Sequence, residues 1–443
     1  MKQLLALSIA FMALTNTLSG QFLEQEIILD SLVGSNGVIF EDFNDDGISE
    51  YIVARFSEDV VTLVYWDGSQ FVEEDLISID QPNDLVTGDF NMDGRLDIAI
   101  TASNILGIRI LRNLGNLEFS TQTINSFDYE NAGSIATSDF DQDGDLDLIV
   151  SSFISDDIAL FELTNPDFFS YDVTIIDNAV DSRDIEIGDF DNDGLPDFAS
   201  TNRFGNELNI YFNDGNNNFQ KTTYPFTDAT NICATDFNND GFLDIAITSF
   251  GDNSVFIFFN NTDRTFQEAF VDLNIQDPNS ISCLNIDGDS FEDIVVGTRF
   301  GLVYYIAKDI SNVDFLRFDI PFDGWVGPFD VEDVDGDDDL DLIASSTALP
   351  GLILYRNTTF TSSIEDAELP RINVYPNPSN DIIHIDGDST YDLKLYTMQG
   401  RLISSKTNSN QLDVTLIPNG TYMMEVTDIN ANKTFTEKVV VEK

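Results

Sequence analysis

Histidine is almost missing from this chain: His384 is the single one in 443 residues. Acid–base or nucleophilic chemistry built on imidazole therefore has nothing to draw on before residue 384, and neither Cys233 nor Cys283 has a histidine partner to activate it. No Gly-rich phosphate loop and no zinc-type Cys/His cluster is present. The places of the two cysteines in the repeat described below put them on opposite strand faces, which argues against a disulfide between them. Positive charge is scarce too, with 20 Lys and Arg against 79 Asp and Glu, a formal charge of -59. A field of that sign excludes nucleic acid and an anionic membrane as natural partners and favours cations. Long apolar runs are absent after the first 20 residues, so no spanning helix is expected.

What is present points to export and a large core. Residues 1–20 place Lys2 before an apolar stretch from Leu4 to Leu14 and then small and polar residues, the pattern of a secretory signal cut near Gly20. Export implies an oxidising setting with millimolar calcium. Apolar residues make up 42% of the chain, with 36 Phe, so the acidity does not signal disorder.

Self-similarity at long period decides the fold. The pattern Asp-Phe-Asn/Asp-x-Asp-Gly-x-x-Asp begins at Asp42, Asp89, Asp139, Asp189 and Asp236, with weaker copies at Asn285 and Asp333. Four residues before each loop stands an apolar residue (Val38, Leu85, Ile135, Ile185, Ile232, Ile281, Phe329), and a short apolar run follows it. A second β-rich run comes next, then a turn and a Phe opening a fourth run, at Phe71, Phe119, Phe169, Phe219, Phe266 and Phe315. Four short strands per repeat of about 48 residues predict an all-β, seven-bladed propeller over residues 21–360. Blades stack face to face, so their inner strands need not alternate. Residues 21–28, QFLEQEII, echo residues 70–77, QFVEEDLI, and the last repeat has only three clear strands. The N-terminal segment is therefore expected to supply the outer strand of blade seven.

Each acidic loop falls on the hairpin between strands one and two. Positions 1, 3, 5 and 9 carry carboxylate or amide oxygen in all seven copies, and position 7, indifferent to side chain, is expected to offer its carbonyl. The ligand sets are Asp42, Asn44, Asp46, Ile48 and Glu50; Asp89, Asn91, Asp93, Arg95 and Asp97; Asp139, Asp141, Asp143, Asp145 and Asp147; Asp189, Asp191, Asp193, Leu195 and Asp197. The remaining three are Asp236, Asn238, Asp240, Phe242 and Asp244; Asn285, Asp287, Asp289, Phe291 and Asp293; Asp333, Asp335, Asp337, Asp339 and Asp341. Oxygen donors at this spacing suit Ca²⁺, up to seven ions, one per blade. Position 6 is Gly in the first five copies, fitting a left-handed turn, but Ser290 and Asp338 in the last two, which makes the sixth loop the weakest. An EF-hand is excluded: position 12 lacks the bidentate Glu, and the flanks read as strands. Plain solvated turns would not keep the same placement seven times. Two carboxylates about 4 Å apart repel by about 4 kcal/mol at intermediate dielectric, so a bound cation turns an opposed loop into a staple.

These loops resemble the FG-GAP/VCBS repeats of integrin α-subunit propellers and of many secreted bacterial proteins. The resemblance covers residues 21–360, with five of seven motifs complete, and implies a seven-bladed propeller with Ca²⁺ in its loops. It names no ligand, because that fold hosts adhesion proteins, lectins and some polysaccharide lyases.

After a linker at 361–371, residues 372–443 alternate apolar residues with Gly, Pro and Asn turns, as in a small Ig-like β-sandwich. Its net charge is -3, against -56 for the remainder. The VYPNP start at 374–378, the LIPNGTY turn and the Lys-rich end at Lys438 and Lys443 resemble the type A sorting domain of Bacteroidetes type IX secretion. That resemblance implies passage across the outer membrane by the type IX machinery, then release or attachment at the cell surface.

For binding, the face opposite the hairpins matters. Arg55, Phe56, Phe153, Arg203, Phe204, Phe250, Arg299 and Phe300 fall there, with Trp325 and Tyr129 in connections between blades. Trp325, Tyr129, Arg203 and Arg299 are the candidate contacts for an extracellular glycan or protein ligand, since an exposed Trp suits sugar stacking or a protein hot spot. The expected function is a non-catalytic, calcium-binding adhesion or lectin-like module; the alternative is a polysaccharide lyase on the same scaffold.

Overall fold

The computed structural model describes residues 23–357 and 374–443. Outside the description lie short segments at 30–31, 33, 104, 125–130, 153–154, 216–217, 311–312, 323, 335–339 and 347–350, and in the second part 377, 386–390, 398–401 and 429–432. The expected signal at 1–20 and the linker at 361–371 fall outside it as well. The chain divides into two compact units, Met1–Thr361 and Ser362–Lys443.

The first unit is a ring of seven four-stranded antiparallel sheets. Blade one runs Gly37–Glu41, Glu50–Arg55, Val60–Trp66 and Phe71–Ser78, each strand paired with the next, and blades two to six repeat that order from Pro82, Ala132, Ser182, Ala229 and Pro278. The innermost strands pack against one another in sequence, and the first strand of blade seven, Val326–Glu332, meets Gly37–Glu41 to close the ring. Blade seven takes its outer strand from the N-terminus: Leu23–Leu29 pairs antiparallel with Leu352–Asn357, Leu23 opposite Asn357. The echo of residues 70–77 in 21–28 thus has a physical basis, because both segments cover the edge of a third strand. The second strands, such as Asp97–Ala102 and Asp293–Thr298, are buried along their whole length, as sheets covered on both faces require.

The blades are joined by repeating contacts. The Phe at loop position 2 packs edge-on against the Phe that opens the next blade's fourth strand: Phe43 on Phe119, Phe140 on Phe219 and Phe190 on Phe266, at 5.9–6.2 Å. Beside it, an Asn ending the third strand donates Nδ2 to the previous blade's position-2 carbonyl. Asn113 reaches Phe43, Asn213 reaches Phe140, Asn260 reaches Phe190 and Asn357 reaches Ile286, at 2.7–2.8 Å. Around the channel, carboxylates of one blade accept backbone N–H groups of the next: Asp84 from Ile135 at 3.1 Å, Asp184 from Ile232 at 3.1 Å, and Asp330 from Phe40 at 2.6 Å across the ring closure.

The joint between blades five and six corrects one expectation: Cys233 and Cys283 form a disulfide, their Cα atoms 5.8 Å apart. The two do point to opposite faces of their own sheets, but that geometry favours the bond. In a ring of stacked blades the front of one meets the back of the next, so a cross-link between successive first strands, here Ala229–Thr235 and Pro278–Leu284, needs opposite faces.

The second unit pairs Val374–Tyr375, Ile382–Ile385 and Gln411–Asp413 in one sheet. A second sheet has the order Leu402–Ser409, Tyr391–Thr397, Gly420–Asp428, Lys433–Val441. Both bury side chains in one core, among them Ile383, Leu393, Leu412, Met424 and Val441. His384 stacks on Tyr375 at 5.6 Å, a packing role in a sheet. Among the described residues no helix is long and apolar enough to cross a membrane.

Candidate functional site

The loops are built by their own carboxylates before any ion is considered. In loops one to five the position-1 Asp (Asp42, Asp89, Asp139, Asp189, Asp236) accepts the N–H groups of positions 5 and 6 at 2.7–3.1 Å. The position-5 Asp accepts the N–H of position 7 at 2.7–3.2 Å in loops one to six. Two left-handed residues turn the chain so tightly: position 6 Gly, as at Gly144 with φ 99°, and also position 4, as at Gln142 with φ 60°. Loop six departs from this pattern. Its left-handed residue is Gly288 at position 4, and Ser290 at position 6 has no positive φ. Its position-1 residue, Asn285, donates Nδ2 to Asp289 O at 2.7 Å instead of accepting.

Position 9 does more than the spacing suggested. Its carboxylate is buried in all seven loops, from Glu50 and Asp97 to Asp341. In six loops one oxygen accepts an N–H at or near the end of the third strand at 2.7–2.8 Å, at Asn113, Leu163, Asn213, Asn260, Ala307 and Asn357. The other accepts the position-2 N–H in five loops, as Asp197 does from Phe190 at 3.0 Å. Burial pushes these acids up, to about 7 at Glu50, Asp147, Asp197, Asp244 and Asp293 and about 6 at Asp97, with repulsion from loop neighbours adding to it. Asp145 rises to about 6 through burial and then the charges of Asp143 and Asp141.

The donor set fits a hard cation. Oxygens of Asp139, Asp141 and Asp147 lie within 4.8 Å of one another, as do those of Asp189, Asp191 and Asp197. Asn91 Oδ1, Asp145 Oδ1, Asp244 Oδ2 and Asn285 Oδ1 are buried without a hydrogen-bond partner, which is costly unless something accepts their lone pairs. Some loops carry protein cations instead. Arg95 and Arg112 reach Asp93 at 2.5 and 3.2 Å, Arg264 pairs with Asp191, and Lys308 lies 3.0 Å from Asp287. Loop six, with a neutral position 1 and Lys308 against position 3, suits calcium least. At position 7 the side chains go separate ways: Ile48 is exposed, Arg95 pairs with Asp93, and Phe291 packs into the core. In loop seven Asp333 and Asp341 are described, while Asp335, Asp337 and Asp339 lie outside the described residues.

On the opposite face the structure brings three of the four candidate ligand contacts into one strip. The Trp325 ring stacks on Phe250 with centroids 6.1 Å apart and planes 15° from parallel. The Arg203 guanidinium lies 5.0 Å from the Phe250 centroid and 5.4 Å from that of Phe204. The Arg299 guanidinium lies 5.7 Å from Trp325 and 5.9 Å from Phe300. Phe204 and Phe300 are 68% and 54% exposed, so the two ends of the strip are open. Arg203 is held by Asp228 at 2.5 Å, while the exposed Arg299 lies 4.0 Å from Asp277. Arg55 pairs with Glu58 on blade one, outside the strip, and Tyr129 and Phe153 lie outside the described residues.

Comparison with known proteins agrees with both units. The family profile for the FG-GAP-like repeat matches residues 42–100, 89–150 and 189–247, and the secretion system C-terminal sorting domain matches residues 373–442. No curated protein matches the sequence. Among solved structures, virginiamycin B lyase from Staphylococcus aureus is similar at 12% identity and TM-score 0.53, over 75% of this chain and 98% of that one. BBS1N in complex with ARL6DN is similar at 14% identity and TM-score 0.53, over 78% of this chain and 99% of that one. PorZ of Porphyromonas gingivalis aligns with 91% of this chain at 13% identity and TM-score 0.49, and the chain spans 59% of its length. Likenesses this distant are likenesses of fold.

Proposed function

From a seven-bladed propeller of FG-GAP-like repeats, delivered to the cell surface or beyond by a type IX sorting domain, we propose a calcium-stabilised, non-catalytic glycan-binding module. The strip Phe204–Arg203–Phe250–Trp325–Arg299–Phe300 carries this reading. Flat apolar rings offer the C–H faces of a sugar a stacking surface, and the two guanidinium groups, that of Arg203 held in place by Asp228, offer donors to hydroxyls. Preorganisation of this kind lowers the ordering cost of binding. No histidine lies in the propeller, and its buried carboxylates are occupied in holding the loops and the blade joints, so the face reads as a binding surface.

Calcium supports the scaffold. The convergent carboxylates of loops three and four, and the buried orphan acceptors Asn91, Asp145 and Asp244 of loops two, three and five, are the residues that would hold it. The bound ion supplies positive charge that offsets carboxylate repulsion, while the chain's own N–H groups keep the loops in shape. A glycan array on the secreted chain, with Trp325→Ala beside it, tests the proposal. Binding to a defined glycan class that falls at least ten-fold in the variant supports it. An empty array together with capture of a protein ligand that depends on Trp325 would move the strip to protein recognition, and unsaturated product at 235 nm from an acidic polysaccharide would make the chain a lyase.

A further inference from the structure

The first strands of the blades begin around the mouth of the central channel, on the face that carries Trp325. They enclose a cavity of about 450 Å³, within the size range of small-ligand sites. Phe250 and Arg203 belong both to its wall and to the aromatic strip.

The polar groups of this cavity are lopsided. Three of its hydroxyl and amide donors are turned to the carbonyls of the neighbouring blade. Asn83 Nδ2 donates to Ala132 O at 2.7 Å, Asn279 Nδ2 to Val326 O at 2.7 Å and Ser280 Oγ to Gly327 O at 2.9 Å. The charged acceptors that remain on the wall are the carboxylates of Asp84 and Asp184. Ser134 Oγ lies between them, 3.0 Å from Asp84 Oδ2 and 3.4 Å from Asp184 Oδ1. The two basic side chains on the wall have acids of their own, Arg183 at 2.8 Å from Asp181 and Arg203 at 2.5 Å from Asp228. The lining therefore carries two carboxyl groups that have no basic partner among the described residues. Burial, and after it the charge of Asp84, pushes Asp184 up to about 7, so a cation bound facing the two would relieve a cost already present in the fold.

The cation this geometry suits is a nitrogen donor of single charge. Each carboxylate already accepts two backbone N–H groups, from Leu85 and Ile135 at Asp84 and from Ile185 and Ile232 at Asp184, with side-chain bonds from Ser134 to Asp84 and from Asn231 to Asp184 beside them. Few lone pairs are left for a divalent ion that needs six to eight oxygens, whereas an ammonium brings three donors and asks for two or three acceptors. We propose that the channel mouth binds the primary ammonium of a terminal 2-amino sugar on the cavity side of Ser134, facing Asp84 and Asp184, with the sugar ring against Phe250. This rests on the glycan reading above, since the aromatic wall selects a sugar over a bare amine. The cavity is ringed by the blades and open at its mouth, so a chain end fits into it and the rest of the glycan runs out along Trp325.

Calorimetry on the full secreted chain, at constant calcium and pH 6, tests this with a glucosamine tetramer against an N-acetylglucosamine tetramer. The free-amine oligomer is expected to bind at least ten-fold tighter. Asp84→Asn and Asp184→Asn should each reduce that preference to two-fold or less, while Trp325→Ala should weaken both oligomers alike. Equal affinity for the two oligomers would overturn the ammonium site and leave the glycan reading standing; binding of neither would overturn both. An Nα-acetyl-lysine amide that binds as tightly as the amino sugar would replace the sugar by a protein side chain. The oligomer comparison uses unaltered protein, so it decides the matter even if a carboxylate variant fails to fold.

Discussion

Chelation is the perturbation that tests the propeller most directly. Extracellular-type loops bind calcium with dissociation constants of about 10⁻⁴ to 10⁻³ M. At about 2 mM calcium each such site stabilises the folded state by about 0.6 to 1.8 kcal/mol through mass action. Summed over loops one to five, which share one hydrogen-bond pattern, that is about 3 to 9 kcal/mol, against a total stability of about 5–15 kcal/mol for ordinary domains. For a propeller of this length, EGTA should lower the melting temperature by about 4 to 13 °C, read by differential scanning fluorimetry. The pH dependence should change sign with the metal. Without calcium the position-9 acids have folded pKa values raised to about 7, above their unfolded values near 4. A raised acid contributes stability that is complete below about pH 4 and lost as pH rises through 7. In EGTA the melting temperature should therefore fall between pH 5 and 8. In calcium it should rise over the same window, because protons and metal compete for the same oxygens. A melting temperature that EGTA leaves within one degree at every pH would refute the cage.

Two further outcomes follow from the joints and the loops. Replacing both Cys233 and Cys283 by Ser opens a cross-link between residues 50 apart, which the chain-entropy relation puts at about 4 kcal/mol; calorimetry should show a melting temperature about 6 °C lower, and an unchanged value would refute that relation here. Loop six should be the weakest calcium site, so Asn285→Asp with Lys308→Met should add one tight site to the stoichiometry measured by titration, and an unaltered count would show that Asn285 and Lys308 do not limit it.

The blades were legible because a 48-residue period repeats one physical problem seven times: an acidic hairpin, a strand buried on both faces, and a Phe at the edge. Ring closure by Leu23–Leu29 was legible for the same reason, as one missing strand at the end matched one spare strand at the start. What escaped were features that exist only between repeats. The disulfide is one of them: face parity within one sheet argues against it, while the ring pairs the front of each blade with the back of the next. Asp84, Asp184 and Asp330 gave no signal among 79 acids, since their role depends on an N–H in another blade rather than on local spacing. Position 9 was read as a metal ligand, and only the fold reveals that the same carboxylate latches the end of the third strand. That second task bears on how calcium acts. An ion drawing on the position-9 oxygens of Asp147 or Asp197 pulls on a group already bonded to two other parts of its blade. Binding in the loop thereby tightens the strand that leads to the opposite face. Because Arg203 and Phe204, one end of the Trp325 strip, hang from the far end of Asp197's own blade, loss of calcium should loosen the proposed ligand surface before the ring itself opens.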